Sequence, residues 1–89
     1  MKRILIADDD PDVHRLLAAA LESEDRHIES VYDGLTALQR LEAAPYDLVM
    51  TDVNMPGLDG MALLERLHKV RPGVKVVVMT VANTPANIG

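Results

Sequence analysis

The chain has 89 residues, with 14 acidic against 9 basic side chains and a net charge of −5. That balance counts against any large phosphate-backbone footprint, and a chain without Phe or Trp lacks the stacking platforms that single-stranded nucleic acids use. With no Cys, disulfide scaffolds, thiolate zinc sites and cysteine nucleophiles are excluded. No apolar run approaches membrane-spanning length, and Ile4–Ala7 is too short for a signal-peptide core. One small cytoplasmic domain with an aliphatic core is expected over residues 1–89, with a core at 1–80 and a tail at 81–89.

Ile4-Leu-Ile-Ala7 is a continuous apolar run that ends in acids, the pattern of a strand covered on both faces. A helix follows, with Asp10 placed to cap it, Pro11 suited to its first turn, and a stripe through Val13, Leu16, Leu17, Ala20 and Leu21. His27–Tyr32 is more polar and reads as an edge strand. A second helix starts after Asp33-Gly34, carries Leu35, Leu38 and Leu41 inward, and ends near Ala44-Pro45. Leu48–Met50 gives a third strand. A third helix from Gly60 to Val70 points Met61, Leu64 and Leu67 inward and is stopped by Pro72-Gly73. Val76–Met79 is the fourth strand, and Val81–Gly89 has no helical period.

The order β-α-β-α-β-α-β predicts a parallel sheet with right-handed crossovers and helices on its faces, and ligands bind such sheets beyond the carboxyl ends of the strands. The first strand there runs into Asp8, Asp9 and Asp10, the third into Asp52 and the fourth into Thr80. Singly, each has an ordinary explanation as a cap, a turn residue or a β-former. Together they bring acids and a hydroxyl to one end of one sheet. Carboxylates packed together repel, which protonation or a hard cation relieves, and oxygen ligands alone favour Mg²⁺. Such a cation attracts a phosphoryl group, and a neighbouring carboxylate can accept it as an acyl phosphate.

Three segments carry a family resemblance: Ile4-Leu-Ile-Ala-Asp-Asp-Asp-Pro-Asp12, Asp47-Leu-Val-Met-Thr-Asp-Val-Asn-Met-Pro-Gly-Leu-Asp-Gly60, and Val76-Val-Val-Met-Thr80. In them the chain resembles the receiver domain of two-component response regulators over residues 1 to about 82. The resemblance implies a flavodoxin-like, doubly wound α/β fold with strand order 2-1-3-4 in the part present. It also implies a signalling domain that catalyses its own phosphorylation in a phosphorelay, not an enzyme acting on other substrates. Asp52 would accept the phosphoryl group from a histidine kinase or a small phosphodonor. Asp9 would bind Mg²⁺ directly, Asp8 mainly through water, and Asn54 through its backbone carbonyl; Asp10 would be a cap, and Thr80 would report the phosphoryl group by a hydrogen bond.

Two departures stand out. Val81 occupies a position where receivers usually have a small residue, which narrows the phosphoryl path unless Ala82 takes that role. The chain also stops where a receiver would continue into another helix, a fifth strand bearing a Lys, and a last helix. Lys2, Lys69 and Lys75 fall at or near the other end of the sheet and cannot replace that Lys. An uncovered, Val-rich fourth strand then predicts pairing with a second copy of the chain. The alternatives are a switch-deficient interaction module and a piece of a longer regulator. An aspartyl-phosphate hydrolase using Asp8 in an Asp-x-Asp pair is opposed by Pro11 and by the absence of a cap segment. His14 and Arg15 are expected on a solvated helix face, His27 and His68 have no metal spacing, and Tyr46 is expected to pack where the second helix leads into the third strand.

Overall fold

The computed structural model describes residues 1–52 and 60–79. Its elements are β1 (Lys2–Ala7), α1 (Pro11–Leu21), β2 (Arg26–Val31), α2 (Gly34–Ala43), β3 (Leu48–Asp52), α3 (Gly60–Val70) and β4 (Lys75–Met79). The four strands form one parallel sheet in the order β2-β1-β3-β4. This is the predicted architecture, with the polar β2 on one edge. The register sets Ile4 beside Ile28 and Leu48, and Met50 beside Val77.

β1 lies between β2 and β3, which pair its two edges, and its apolar run is covered on both faces. Ile4, Leu5, Ile6 and Ala7 are all buried. Alternate side chains point to opposite faces. Leu5 and Ala7 join Val31, Val49, Ala37, Leu38, Leu41, Tyr46, Leu63 and Leu67 in the main core cluster. Ile4 and Ile6 face the other way. Right-handed crossovers from β1 to β2 and from β2 to β3 put α1 and α2 on opposite sides of the sheet.

The caps follow the sequence. Asp10 precedes α1 and accepts a 2.9 Å hydrogen bond from the Asp12 N–H. Asp33 precedes α2, accepting from the Thr36 N–H at 2.7 Å and the Thr36 hydroxyl at 3.0 Å. His68 and Lys69 lie in the last turn of α3, where positive charge suits the helix dipole. Arg71 Nε then donates to the Leu41 carbonyl at 3.1 Å, tying the end of α3 to α2.

Each helix turns part of its expected face inward and leaves part of it to solvent. In α1 the inward side runs through His14, Leu17, Ala18 and Leu21, while Leu16 is 71% exposed and Ala20 is exposed. In α2, Gly34, Ala37, Leu38 and Leu41 are buried and Leu35 is exposed. In α3, Leu63 and Leu67 are buried, Leu64 is half-buried and Met61 is exposed. Leu63→Ala should therefore cost about 2–5 kcal/mol in urea unfolding, and Met61→Ala less than about 0.5 kcal/mol.

Glu29 organises the other charged cluster. Its carboxylate, 16% exposed, accepts from Arg3 at 2.9 Å, His27 at 3.0 Å, Arg40 at 3.2 Å and the Tyr46 hydroxyl. The Arg3 guanidinium also stacks 4.8 Å above the Tyr46 ring. The Tyr46 hydroxyl, with Arg3 and His27, holds the Glu29 carboxyl at about 2, against an ordinary 4.5. A depressed carboxylate contributes stability that is complete above its unfolded value and is lost as pH falls from about 4.5 toward 2. Glu29→Gln should lower stability at pH 7 by about 1–2 kcal/mol. Unfolding curves of the two proteins should converge as the pH is lowered through that window.

Candidate functional site

The site lies beyond the carboxyl ends of β1 and β3. β1 runs directly into Asp8 and Asp9, and β3 ends on Asp52; the neighbouring register pair Ala7–Thr51 sets the two strand ends side by side. Carboxylate oxygens of Asp8, Asp9 and Asp52 all lie within 4.8 Å of one another. The three are differently solvated: Asp8 is 1% exposed, Asp52 is half-buried and Asp9 is exposed.

Asp8 is held tightly. Its N–H donates to the Val31 carbonyl at 3.2 Å, and its Oδ1 accepts from the Asp10 N–H at 2.8 Å. Its Oδ2 is buried and has no hydrogen-bond partner among the described residues. Burial pushes the Asp8 carboxyl above its ordinary value, the Asp10 N–H opposes this, and the charges of Asp52 and Asp9 push it further up. An orphaned buried oxygen on a carboxylate grouped with two others fits a hard divalent cation, which would relieve the repulsion and could satisfy the oxygen.

The remaining candidates separate cleanly. Asp10 is the N-cap of α1. Thr80, Asn54, Val81, Met55-Pro56-Gly57 and residues 82–89 lie outside the described residues. Lys2 and Lys75 begin β1 and β4 at the opposite end of the sheet, where with Arg26 and Asp47 they line a hollow of about 420 Å³; Lys69 lies in the last turn of α3. Arg15 is exposed and pairs with Asp12, and His27 pairs with Glu29.

His14 departs from expectation. It is 4% exposed rather than solvated, its Nε2 lies 2.7 Å from the Asp8 carbonyl oxygen, and its ring packs against that of Tyr32 at 4.4 Å between centroids. The signal was present in the sequence: Leu17, Ala18 and Leu21 stand at i+3, i+4 and i+7 from His14, an inward stripe with a polar first member.

Comparison with known proteins agrees with this geometry. The family model of the response regulator receiver domain matches residues 4–88. The response regulator receiver protein CpdR of Brucella abortus is 40% identical over 80 residues, covering 90% of this chain and 67% of CpdR. The transcriptional regulatory protein TcrA of Mycobacterium tuberculosis is 37% identical over 88% of this chain, which spans only 31% of TcrA. Among solved structures, the response regulator TrrA of Thermotoga maritima, in complex with Mg²⁺-BeF, superposes with a TM-score of 0.85 at 34% identity, over 93% of this chain and 72% of that one. A CheY-like receiver domain protein from Methanospirillum hungatei gives 0.86 at 33% identity, over 99% and 70%. The chain belongs to the response regulator receiver domain family of two-component signal transduction.

Proposed function

We propose that this chain is a Mg²⁺-dependent phosphoacceptor, with Asp52 taking a phosphoryl group from a histidine kinase in the cytoplasm. The observation that carries the reading is the convergence of Asp8, Asp9 and Asp52 within 4.8 Å, with the buried Asp8 Oδ2 unpartnered among the described residues. TrrA adds support, having been solved both with Mg²⁺-BeF and with the histidine kinase ThkA. Asp8, Asp9 and Asp52 would hold the ion with the Asn54 carbonyl, and bound there it would supply positive charge against which phosphoryl oxygens can approach the acids. An Asp52 oxygen then forms the new P–O bond while the P–N bond to the kinase imidazole breaks, its electron pair staying on nitrogen. Thr80 would donate its hydroxyl to a phosphoryl oxygen. Residues 1–80 would form the core of this unit.

Incubation with acetyl phosphate and Mg²⁺ should add one phosphoryl group by intact mass. The adduct should be released by hydroxylamine and be absent from Asp52→Ala. A chain that stays unlabelled under conditions that label an ordinary receiver would leave the interaction-module reading in its place.

A second reading has its own observation. β4 pairs with β3 on one side, and Val77 and Val78 are 44% and 37% exposed. We propose that this 89-residue chain forms a homodimer by pairing its β4 edges, since an exposed Val-rich edge templates strand addition. Light scattering should give a dimer mass that Val77→Lys shifts toward monomer; a monomer at all concentrations would refute the pairing.

A further inference from the structure

We propose that His14 is a positioning residue for the acid cluster: its bond to the Asp8 carbonyl sets the direction in which Asp8 and Asp9 present their carboxylates to a divalent cation. The inference rests on the cation-binding reading above.

The argument begins with which atom His14 touches. A carbonyl oxygen can only accept, so at 2.7 Å the His14 Nε2 carries the proton and donates it. That carbonyl belongs to the peptide unit joining Asp8 to Asp9. The unit is planar, so fixing its oxygen fixes the plane, and with it the torsions flanking both acids. The rest of the segment is already tied: the Asp8 N–H to Val31, and Oδ1 to the Asp10 N–H. The bond from His14 completes the set, and it comes from a different element, so α1 rather than the sheet sets this plane.

Packing points the same way. His14 occupies the first place in the inward stripe of α1, with Leu17, Ala18 and Leu21 after it, where an aliphatic side chain would bury no polar atom. The imidazole buries two nitrogens. Nε2 is satisfied by Asp8, while Nδ1 has no partner among the described residues. A buried polar ring with one unmet acceptor is a worse core residue than leucine. What it provides is a donor aimed at the one peptide that links two members of the acid cluster. Tyr32, packed at 4.4 Å on the ring and adjoining the Val31 that holds the Asp8 amide, keeps that donor in place. Groups that orient metal ligands from behind typically change affinity by about 10–100-fold when removed.

The test is Mg²⁺ titration followed by backbone amide shifts in the wild type, His14→Leu and His14→Gln, with melting temperatures taken in chelator. His14→Leu keeps the volume and loses the donor, and its Mg²⁺ Kd should rise about tenfold or more. His14→Gln keeps an N–H in reach and should restore binding close to wild type. Equal affinity in wild type and His14→Leu, or equal loss in both variants, would overturn the assignment while leaving the cation site standing. A wild type that takes up no Mg²⁺ would overturn both. Should His14→Leu fail to fold, the wild-type ring decides: an Nε2–H tautomer whose nitrogen shifts move on Mg²⁺ saturation supports the role, and an Nδ1–H tautomer or static shifts reject it.

Discussion

Three carboxylates within 4.8 Å of one another, one of them almost wholly removed from water, is an arrangement that a chain in isolation would not adopt. It is imposed by the sheet. β1 is buried on both faces and must sit between β2 and β3, and Asp8 is the next residue along it. The aliphatic cluster around Leu5, Val49, Leu41, Leu63 and Leu67 fixes β1 against β3, and the strand ends bring Asp9 and Asp52 to the same place. The electrostatic cost at the carboxyl end is therefore offset by apolar burial at a distance from it.

The two ends of the sheet have opposite character. At the amino end, Lys2, Arg26 and Lys75 gather around Asp47, and the nearby Glu29 is surrounded by donors from Arg3, His27, Arg40 and Tyr46. That cluster is satisfied and structural. At the carboxyl end the balance is acidic and a buried oxygen is left without a partner among the described residues. Parallel strands make this segregation possible, because every strand presents the same end to the same side.

What was legible in the sequence was topology, and what was not was rotation. The run Ile4–Ala7 announces a buried strand, Val76–Met79 announces a strand that the structure leaves partly exposed, and alternation with helices decides that the strand ends meet, so the meeting of Asp8, Asp9 and Asp52 was legible in the sequence. The helices were placed correctly along the chain, and only part of each expected face turned inward. In α1, Leu17 and Leu21 belong to two competing stripes, one led by Val13 and one by His14, and hydropathy favours the first although the buried His14 finds the Asp8 carbonyl as its partner. In α2 and α3 Leu38, Leu41 and Leu67 turned inward as expected, and the misreadings were confined to the first leucine or methionine of each stripe. Gly34 and Ala37 went in, and Leu35 and Met61 were left to solvent.

The register of the sheet also bears on how the chain reaches this state. Every pairing spans at least one helix: Ile4 must find Ile28 beyond one helix and Leu48 beyond two. Every ladder is non-local, so loop closure precedes any reward from pairing, and folding should be slow for a chain of this size. During synthesis β1 leaves the ribosome first yet has no second neighbour until β3 follows. For that interval its four buried apolar residues are exposed, and the segment that ends in the acid cluster is also the one most dependent on being sheltered while the rest of the chain is made.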